Sequence, residues 1–177
     1  MRMLDVAAGN IRVAIPSDAS AIAEVYVETW RAAYAGILPD RTLVRMSVAS
    51  QIRQWRSLLN AGDAVLVVTD GAEIVGFGGY GPNRERNLRY SGEVYTLYVS
   101  PDYQNQGLGR RLLRAMFKAL QRDGHESAII WVLAENPSRF FYECEGGAKI
   151  ADRNEFLWGV SVRELGYGWS FLSLGAA

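Results

Sequence analysis

The chain has 177 residues, 49% apolar and 21% charged, with 19 basic and 19 acidic side chains in balance. That mixture suits one soluble domain, residues 1–177, set in the cytoplasm: no apolar run approaches the ~18–20 residues that span a bilayer, the N-terminus shows no signal-peptide pattern, and zero net charge argues against general binding to nucleic acid or membrane. A single cysteine, Cys144, and a single histidine, His125, exclude a disulfide framework, a thiolate metal cluster and any site that needs two histidines.

Met1–Asn10 lacks periodicity and is expected to be a loose leader. Ile11–Ile15 alternates apolar and polar residues as a short strand does, and Pro16 ends it; Ser17 or Asp18 suits a helix N-cap. Ile22, Val25, Tyr26, Thr29, Trp30, Ala33 and Tyr34 then recur at three- and four-residue steps, predicting a helix to about Ala35, closed by Gly36. Pro39-Asp40 opens a further helical region, and Ile52, Trp55, Leu58 and Leu59 mark an amphipathic segment that stops at Gly62-Asp63.

Ala64–Thr69 is a continuous apolar strand, Asp70-Gly71 a hairpin signal, and Glu73–Tyr80 the returning strand. Gly81–Gly92 is a polar loop leading into Glu93–Val99, rich in β-branched and aromatic residues and therefore a strand. Downstream come a strand at Ser127–Leu133, a short helix at Asn136–Glu145 capped by Gly146-Gly147, and strands at Ala148–Phe156 and Val160–Ser170. The order β-αα-β-β-β-α-β-α-β-β implies a mixed sheet with helices on both faces.

The stretch from Glu93 to Phe117 organises the rest. After the strand, Ser100-Pro101-Asp102 is a turn signal, and Leu108, Leu112, Met116 and Leu120 form one apolar helix face with Leu113 and Phe117 beside them. Between them lies Gln104-Asn105-Gln106-Gly107-Leu108-Gly109. A helix N-terminus presents unsatisfied N–H groups and the positive end of its dipole, and glycine lets a ligand approach the backbone. Such a loop suits a phosphate or diphosphate, with Arg110, Arg111 and Arg114 adding positive charge; it equally suits a tight βα connection with no ligand. A dinucleotide fingerprint is not met, because its next glycine position holds Leu112 and the unit comes late in the chain.

Strand, Gln-x-x-Gly-x-Gly and helix, in that order, resemble the acetyl-coenzyme A (acetyl-CoA) signature of the GNAT N-acyltransferase superfamily. WVLAENPSRFFYECEGGAKI, Trp131 to Ile150, is similar to that family's second motif, and RVAIPSDASAIAEVYVETWRAAYAGILP resembles its opening strand and helices. The resemblance implies an α/β (α+β) fold whose mixed, mostly antiparallel sheet carries helices on both faces and a V-shaped splay between two central parallel strands. It further implies an N-acetyltransferase of the small bacterial kind, using acetyl-CoA as cosubstrate and no metal. The acceptor would be a small-molecule or peptide amine, with no nucleic-acid or membrane partner, and the enzyme a monomer or homodimer. A non-catalytic acetyl-CoA-binding module is the alternative.

The same resemblance distributes roles. The diphosphate would sit on the N–H groups around Gln104, Asn105, Gln106, Gly107, Leu108, Gly109 and Arg110. The pantetheine arm would pair with the open strand edge at Leu97, Tyr98 and Val99. Asn136 matches the asparagine that bonds that arm, although capping the following helix is an equally good use of it. Arg139 could reach the phosphates or be a solvated helix residue.

Acyl transfer needs a neutral amine. One with a pKa near ~10.4 is only about 0.04% neutral at pH 7, a cost of about 4.6 kcal/mol, against about 1.4 for an α-amine near ~8. Glu93, eleven positions before Gln104, stands where several members of the family place a catalytic glutamate. Flanked by Tyr95, Leu97 and Tyr80, it would be desolvated and improved as a base; pairing with an arginine of the preceding loop is the competing use. A backbone N–H near Val99 would serve the oxyanion, and Tyr142 matches the tyrosine that serves the leaving thiolate. Trp30, Tyr34, Tyr80, Tyr95 and Trp169 are candidates for the acceptor pocket or for the core, and Glu28 and Glu164 for recognising a cationic acceptor.

Overall fold

A computed structural model of the chain describes residues 9–36, 38, 44, 46–157 and 159–172. Seven strands form one sheet: β1 Asn10–Val13, β2 Val65–Asp70, β3 Glu73–Pro82, β4 Gly92–Val99, β5 Ala128–Leu133, β6 Ala148–Leu157 and β7 Val160–Trp169. The order across the sheet is β1-β2-β3-β4-β5-β7-β6. All neighbours are antiparallel except β4 and β5, which are parallel and pair only at Gly92–Val94 with Ala128–Ile130. Beyond that point β4 stays with β3 and β5 stays with β7, so the sheet opens into a V along Tyr95–Val99.

Helices α1 (Ala19–Tyr34) and α2 (Val48–Ala61) lie on one face of the sheet, α3 (Leu108–Arg122) and α4 (Ser138–Cys144) on the other. The α3 stripe is the predicted one: Leu108, Leu112, Leu113, Met116, Phe117 and Leu120 are all buried. They pack on Val68, Val75, Val94, Ile130 and Val132. Close approach of this helix needs Gly78, where a Cβ would stand 2.5 Å from the Met116 sulfur. On the opposite face Ile22, Ala23, Trp55 and Leu59 cover Val65, Val67 and Phe77. None of the described helices is long and apolar enough to cross a membrane.

Most boundaries fall within two residues of expectation. Asn10 belongs to β1 instead of the leader, whose other expected residues, like the helical opening at Pro39-Asp40, lie outside the described residues except for Gly9. The Asp18 carboxylate does not cap α1. It accepts from Ile15 N at 2.8 Å and pairs with Arg12 at 2.6 Å, tying the end of β1 to the turn before the helix. Gly62 ends α2 in the left-handed region, φ 89°.

β4 carries one irregularity with large consequences. Its β3 partners step from Gly79↔Thr96 to Tyr80↔Val94, leaving Tyr95 as an extra residue. Val94 and Tyr98 are four apart and should share a face. Instead Val94 packs with α3, whereas Tyr98 accepts a hydrogen bond from Trp30 Nε1 of α1 at 3.0 Å. The bulge turns the strand over at the rung where the V begins.

Candidate active site

The loop before α3 is anchored by its own glutamines. Gln104 Nε2 donates to Val99 O at 2.9 Å and Gln106 Nε2 to Asp102 O at 3.0 Å, so both side chains fasten the turn instead of reaching outward. Asn105 and Gly107 take positive φ, 59° and 81°, and the first bond into the helix runs from Arg111 N to Gly107 O. The N–H groups of Asn105 through Arg110 find no acceptor among the described residues. Six consecutive donors beside a helix N-terminus, with left-handed residues among them, form an anion-binding concavity. A Cβ at Gly107 would meet nothing within 4 Å; one at Gly109 would lie 3.6 Å from the Phe141 ring.

A cavity of about 1010 Å³ follows the V from this loop through the sheet. At the loop it is lined by Gln104, Asn105, Gly107, Gly109 and Arg110; in the V by Leu97, Tyr98 and Val99 facing Ile130–Leu133. Beyond lie Trp30 and Tyr34 of α1 together with Glu93 and Tyr95. Gln106, Leu108 and Arg139 do not line it. Leu108 is a core side chain offering only its backbone, and the Arg139 guanidinium lies over the Phe140 ring at 4.2 Å.

Tyr80 and Trp169 are core residues, not part of this wall. The bulge in β4 leaves Tyr80 opposite Val94 on the α3 face. Trp169 stands five residues from Glu164 on one strand, hence on the opposite face; it packs on Phe117 at 5.0 Å and donates from Nε1 to Glu145 O at 2.9 Å.

Tyr142 is 5% exposed and reaches the cavity from α4, between Phe141, Tyr167 and Trp169. Burial, with a smaller contribution from nearby Tyr34, pushes its phenol well above the usual range, so the hydroxyl stays protonated and can donate. No described residue hydrogen-bonds it. Asn136 is buried and serves as cap: Oδ1 accepts from Ser138 N at 2.9 Å. Its Nδ2 points the other way, toward the Tyr34 hydroxyl Oη at 3.4 Å, and the residue lines the cavity. Tyr34 and Tyr98 are likewise raised, chiefly by burial.

Glu93 is 2% exposed and ion-paired. Arg84 supplies its main-chain N–H at 2.9 Å, Nη2 at 2.5 Å and Nε at 3.2 Å, while its guanidinium lies 4.1 Å over Tyr95. The arginine of the preceding loop is therefore present, and the carboxylate still forms part of the cavity wall. Arg110 is drawn off the loop by Glu145, Nε to Oε1 at 2.6 Å, which ties α3 to the end of α4.

Further along the same wall stand Trp131, Arg153 and Glu164. Sequence reading singled out Glu164 but missed Arg84 as an individual residue, and it missed Glu145, Trp131 and Arg153. No local pattern marks these; strand register sets Trp131 opposite Gly166 on β7 and Arg153 opposite Glu164, whereas Arg84 reaches Glu93 from the loop after β3 and Glu145 stands at the end of α4. Glu28 does not line the cavity.

A sheet split beside a helix-capped loop of free N–H groups, with a cavity running through the split, is an arrangement that can seat an extended, phosphate-bearing molecule. The model of the acetyltransferase (GNAT) family matches residues 21–145, and the chain belongs to that family. Over 164 residues it is 34% identical to the uncharacterised N-acetyltransferase YuaI of Bacillus subtilis, covering 93% of this chain and 94% of that one. It is 29% identical to the L-amino acid N-acyltransferase MnaT of Escherichia coli over 72% of each chain. Among solved structures, the protein yncA of Salmonella typhimurium, determined with its cofactor acetyl-CoA, superposes with a TM-score of 0.68 at 24% identity, covering 96% of this chain and 97% of that one. The mixed GNAT fold with its parallel β4–β5 pair is thus present, and the chain is an N-acyltransferase.

Proposed function

We propose that the chain is an acetyl-CoA-dependent N-acetyltransferase that moves the acetyl group directly to a primary amine of a small molecule or peptide in a ternary complex. The observation that carries this is the row of six unpaired N–H groups, Asn105 to Arg110, opening into a cavity that continues through the sheet. A diphosphate fits there on charge and on hydrogen-bond count. The structural neighbour yncA was solved with acetyl-CoA, which supports the same cosubstrate here.

The residues of this chain then have definite work. Leu97–Val99, which have no β5 partner, offer main-chain groups to an extended amide arm, Val99 O excepted because it accepts from Gln104, and Asn136 Nδ2 adds a donor from the facing wall. A backbone N–H near Val99 stabilises the oxyanion as the amine nitrogen bonds to the thioester carbon. Collapse breaks the C–S bond, releasing the acetamide and a thiolate. Tyr142 donates a hydrogen bond to the sulfur. Its phenol is a weaker acid than a thiol near ~8.5, so donation without full transfer is favoured, and the thiolate takes its final proton from water. The proton lost by the attacking nitrogen goes to Glu93, directly or through water.

The test is thiol release from acetyl-CoA across a broad panel of amines, with product mass to confirm N-acetylation. Acetylated product and free thiol in equal amounts are expected. Protein that binds acetyl-CoA yet releases no thiol with any amine would instead be a non-catalytic binding module.

A further inference from the structure

At the acceptor end of the cavity two arginines are built in an unusual way. Arg153 is clamped by Glu164 through Nε at 2.8 Å, by Glu85 through Nη1 and by Glu155 at 3.4 Å, and its guanidinium lies 4.0 Å over the Trp131 ring. Arg84 is clamped by Glu93 through Nε and Nη2 and lies over Tyr95. Glu85 follows Arg84 in the chain and bonds Arg153, which brings the two guanidinium groups to one rim. Each is fixed on its Nε side and stacked on an aromatic face. Each keeps one terminal nitrogen, Nη1 of Arg84 and Nη2 of Arg153, without a partner among the described residues.

Guanidinium groups immobilised in this way match carboxylates, because little rotamer freedom remains to be lost on binding. The charged groups that line this end, Arg84, Arg153, Glu93 and Glu164, sum to zero; Glu85 and Glu155 stand outside the wall and hold Arg153. An amine ready to attack is neutral. If its molecule also carries a carboxylate, the reacting form is an anion, complementary to the two guanidinium nitrogens left without a partner.

On the basis of the acetyl-transfer reading above, we infer that the acceptor carries a carboxylate beside its amine, as an amino acid does, and that Arg84 and Arg153 hold it. The experiment uses matched acceptors: L-amino acids, their C-terminal amides and the corresponding decarboxylated amines, assayed by thiol release with the whole chain. The acids are expected to exceed both neutralised sets in kcat/KM by about tenfold or more. R153Q raises KM for the acids about tenfold while leaving KM for acetyl-CoA in place. Because Glu85, Glu155 and Glu164 then lack their shared cation, the same variant acetylates the decarboxylated amines better than wild type does. R84Q, at a side chain 65% exposed, likewise raises KM for the acids. Preference of the wild type for amides or decarboxylated amines overturns the inference and leaves acetyl transfer standing, as does an acid-to-amine ratio that neither variant alters. Binding of acetyl-CoA with no thiol release from any acceptor overturns both.

Discussion

Substitution of Gly109 by Trp tests the anion loop most directly. Residue 109 sits in the first turn of α3 and faces α4, since a Cβ there would lie 3.6 Å from the Phe141 ring in ordinary contact. An indole at this point fills the mouth of the cleft over the Asn105–Arg110 donors. Glycine is the poorer helix former, so G109W should change stability by only about 1 kcal/mol. Hydrogen bonds to a charged group contribute roughly 1.5–3 kcal/mol each. A diphosphate displaced from two of the six donors loses about 3–6 kcal/mol, or roughly 10²–10⁴ in Kd. Calorimetry with acetyl-CoA and with acetyl-pantetheine, which lacks the diphosphate, separates this loss from damage elsewhere. Wild type should favour acetyl-CoA strongly; in G109W the two ligands should differ by less than about tenfold, at a melting temperature within about 4 °C of wild type. Equal acetyl-CoA affinity in wild type and variant would refute the diphosphate assignment.

Tyr142→Phe should lower kcat about 10–100-fold with the KM for acetyl-CoA nearly constant, because only the hydrogen bond to the departing sulfur is removed; full turnover would dismiss the hydroxyl from the reaction. Glu93→Gln should move the rise of the pH–rate profile to higher pH, where more of the amine is already neutral, and an unmoved profile would assign proton removal to another group. Asp18→Ala tests the fold. Its carboxylate is held low, first by the Arg12 hydrogen bond and also by Ile15 N–H, so its stabilisation is present above the unfolded value near ~3.9 and fades as pH falls through the lower folded value. The variant should lose about 1–2 kcal/mol in urea titrations at pH 7, less the screening expected for a partly exposed arginine, and close on wild type near pH 2; a constant gap would mean that packing, not charge, is what Asp18 supplies.

The element order was legible because α1 and α3 carry long apolar stripes and glycine or proline marks the turns. α3 shows the limit of that legibility as well as its strength. Its six buried residues follow from spacing alone, and so does the placement of Gly107 at a turn that needs positive φ. What spacing could not convey is partnership between distant strands. Arg84 with Glu93, Arg110 with Glu145, and Arg153 with three carboxylates are groupings of ordinary surface residue types, drawn together by register, by a loop closing on a strand or, for Arg110 and Glu145, by the packing of α3 beside α4. Tyr80 and Trp169 failed as pocket residues for a related reason. Aromatic character is the same in a core and in a pocket, and the face each one occupies depends on one extra residue in β4 and on parity along β7.

That extra residue also explains why a cavity passes through a sheet that would otherwise be continuous. Two parallel neighbours normally stay paired along their length, since every rung left open exposes main-chain donors and acceptors. Here the last shared rung is Val94 with Ile130, and the bulge at Tyr95 comes next. Inserting one residue increases local twist and bends β4 away from β5. The bend leaves Leu97–Val99 open to an extended ligand on the side of the α3 loop. It also leaves Glu93, one rung short of the opening and opposite Ile129, on the face that α1 and the Arg84 loop surround. In the acetyl-transfer reading proposed above, a donor molecule entering past α3 and an acceptor entering beside Arg84 and Arg153 meet at the apex of the V. In that reading their separation follows from where the pairing stops, and Glu93, buried beside the apex, is the group assigned to take the proton.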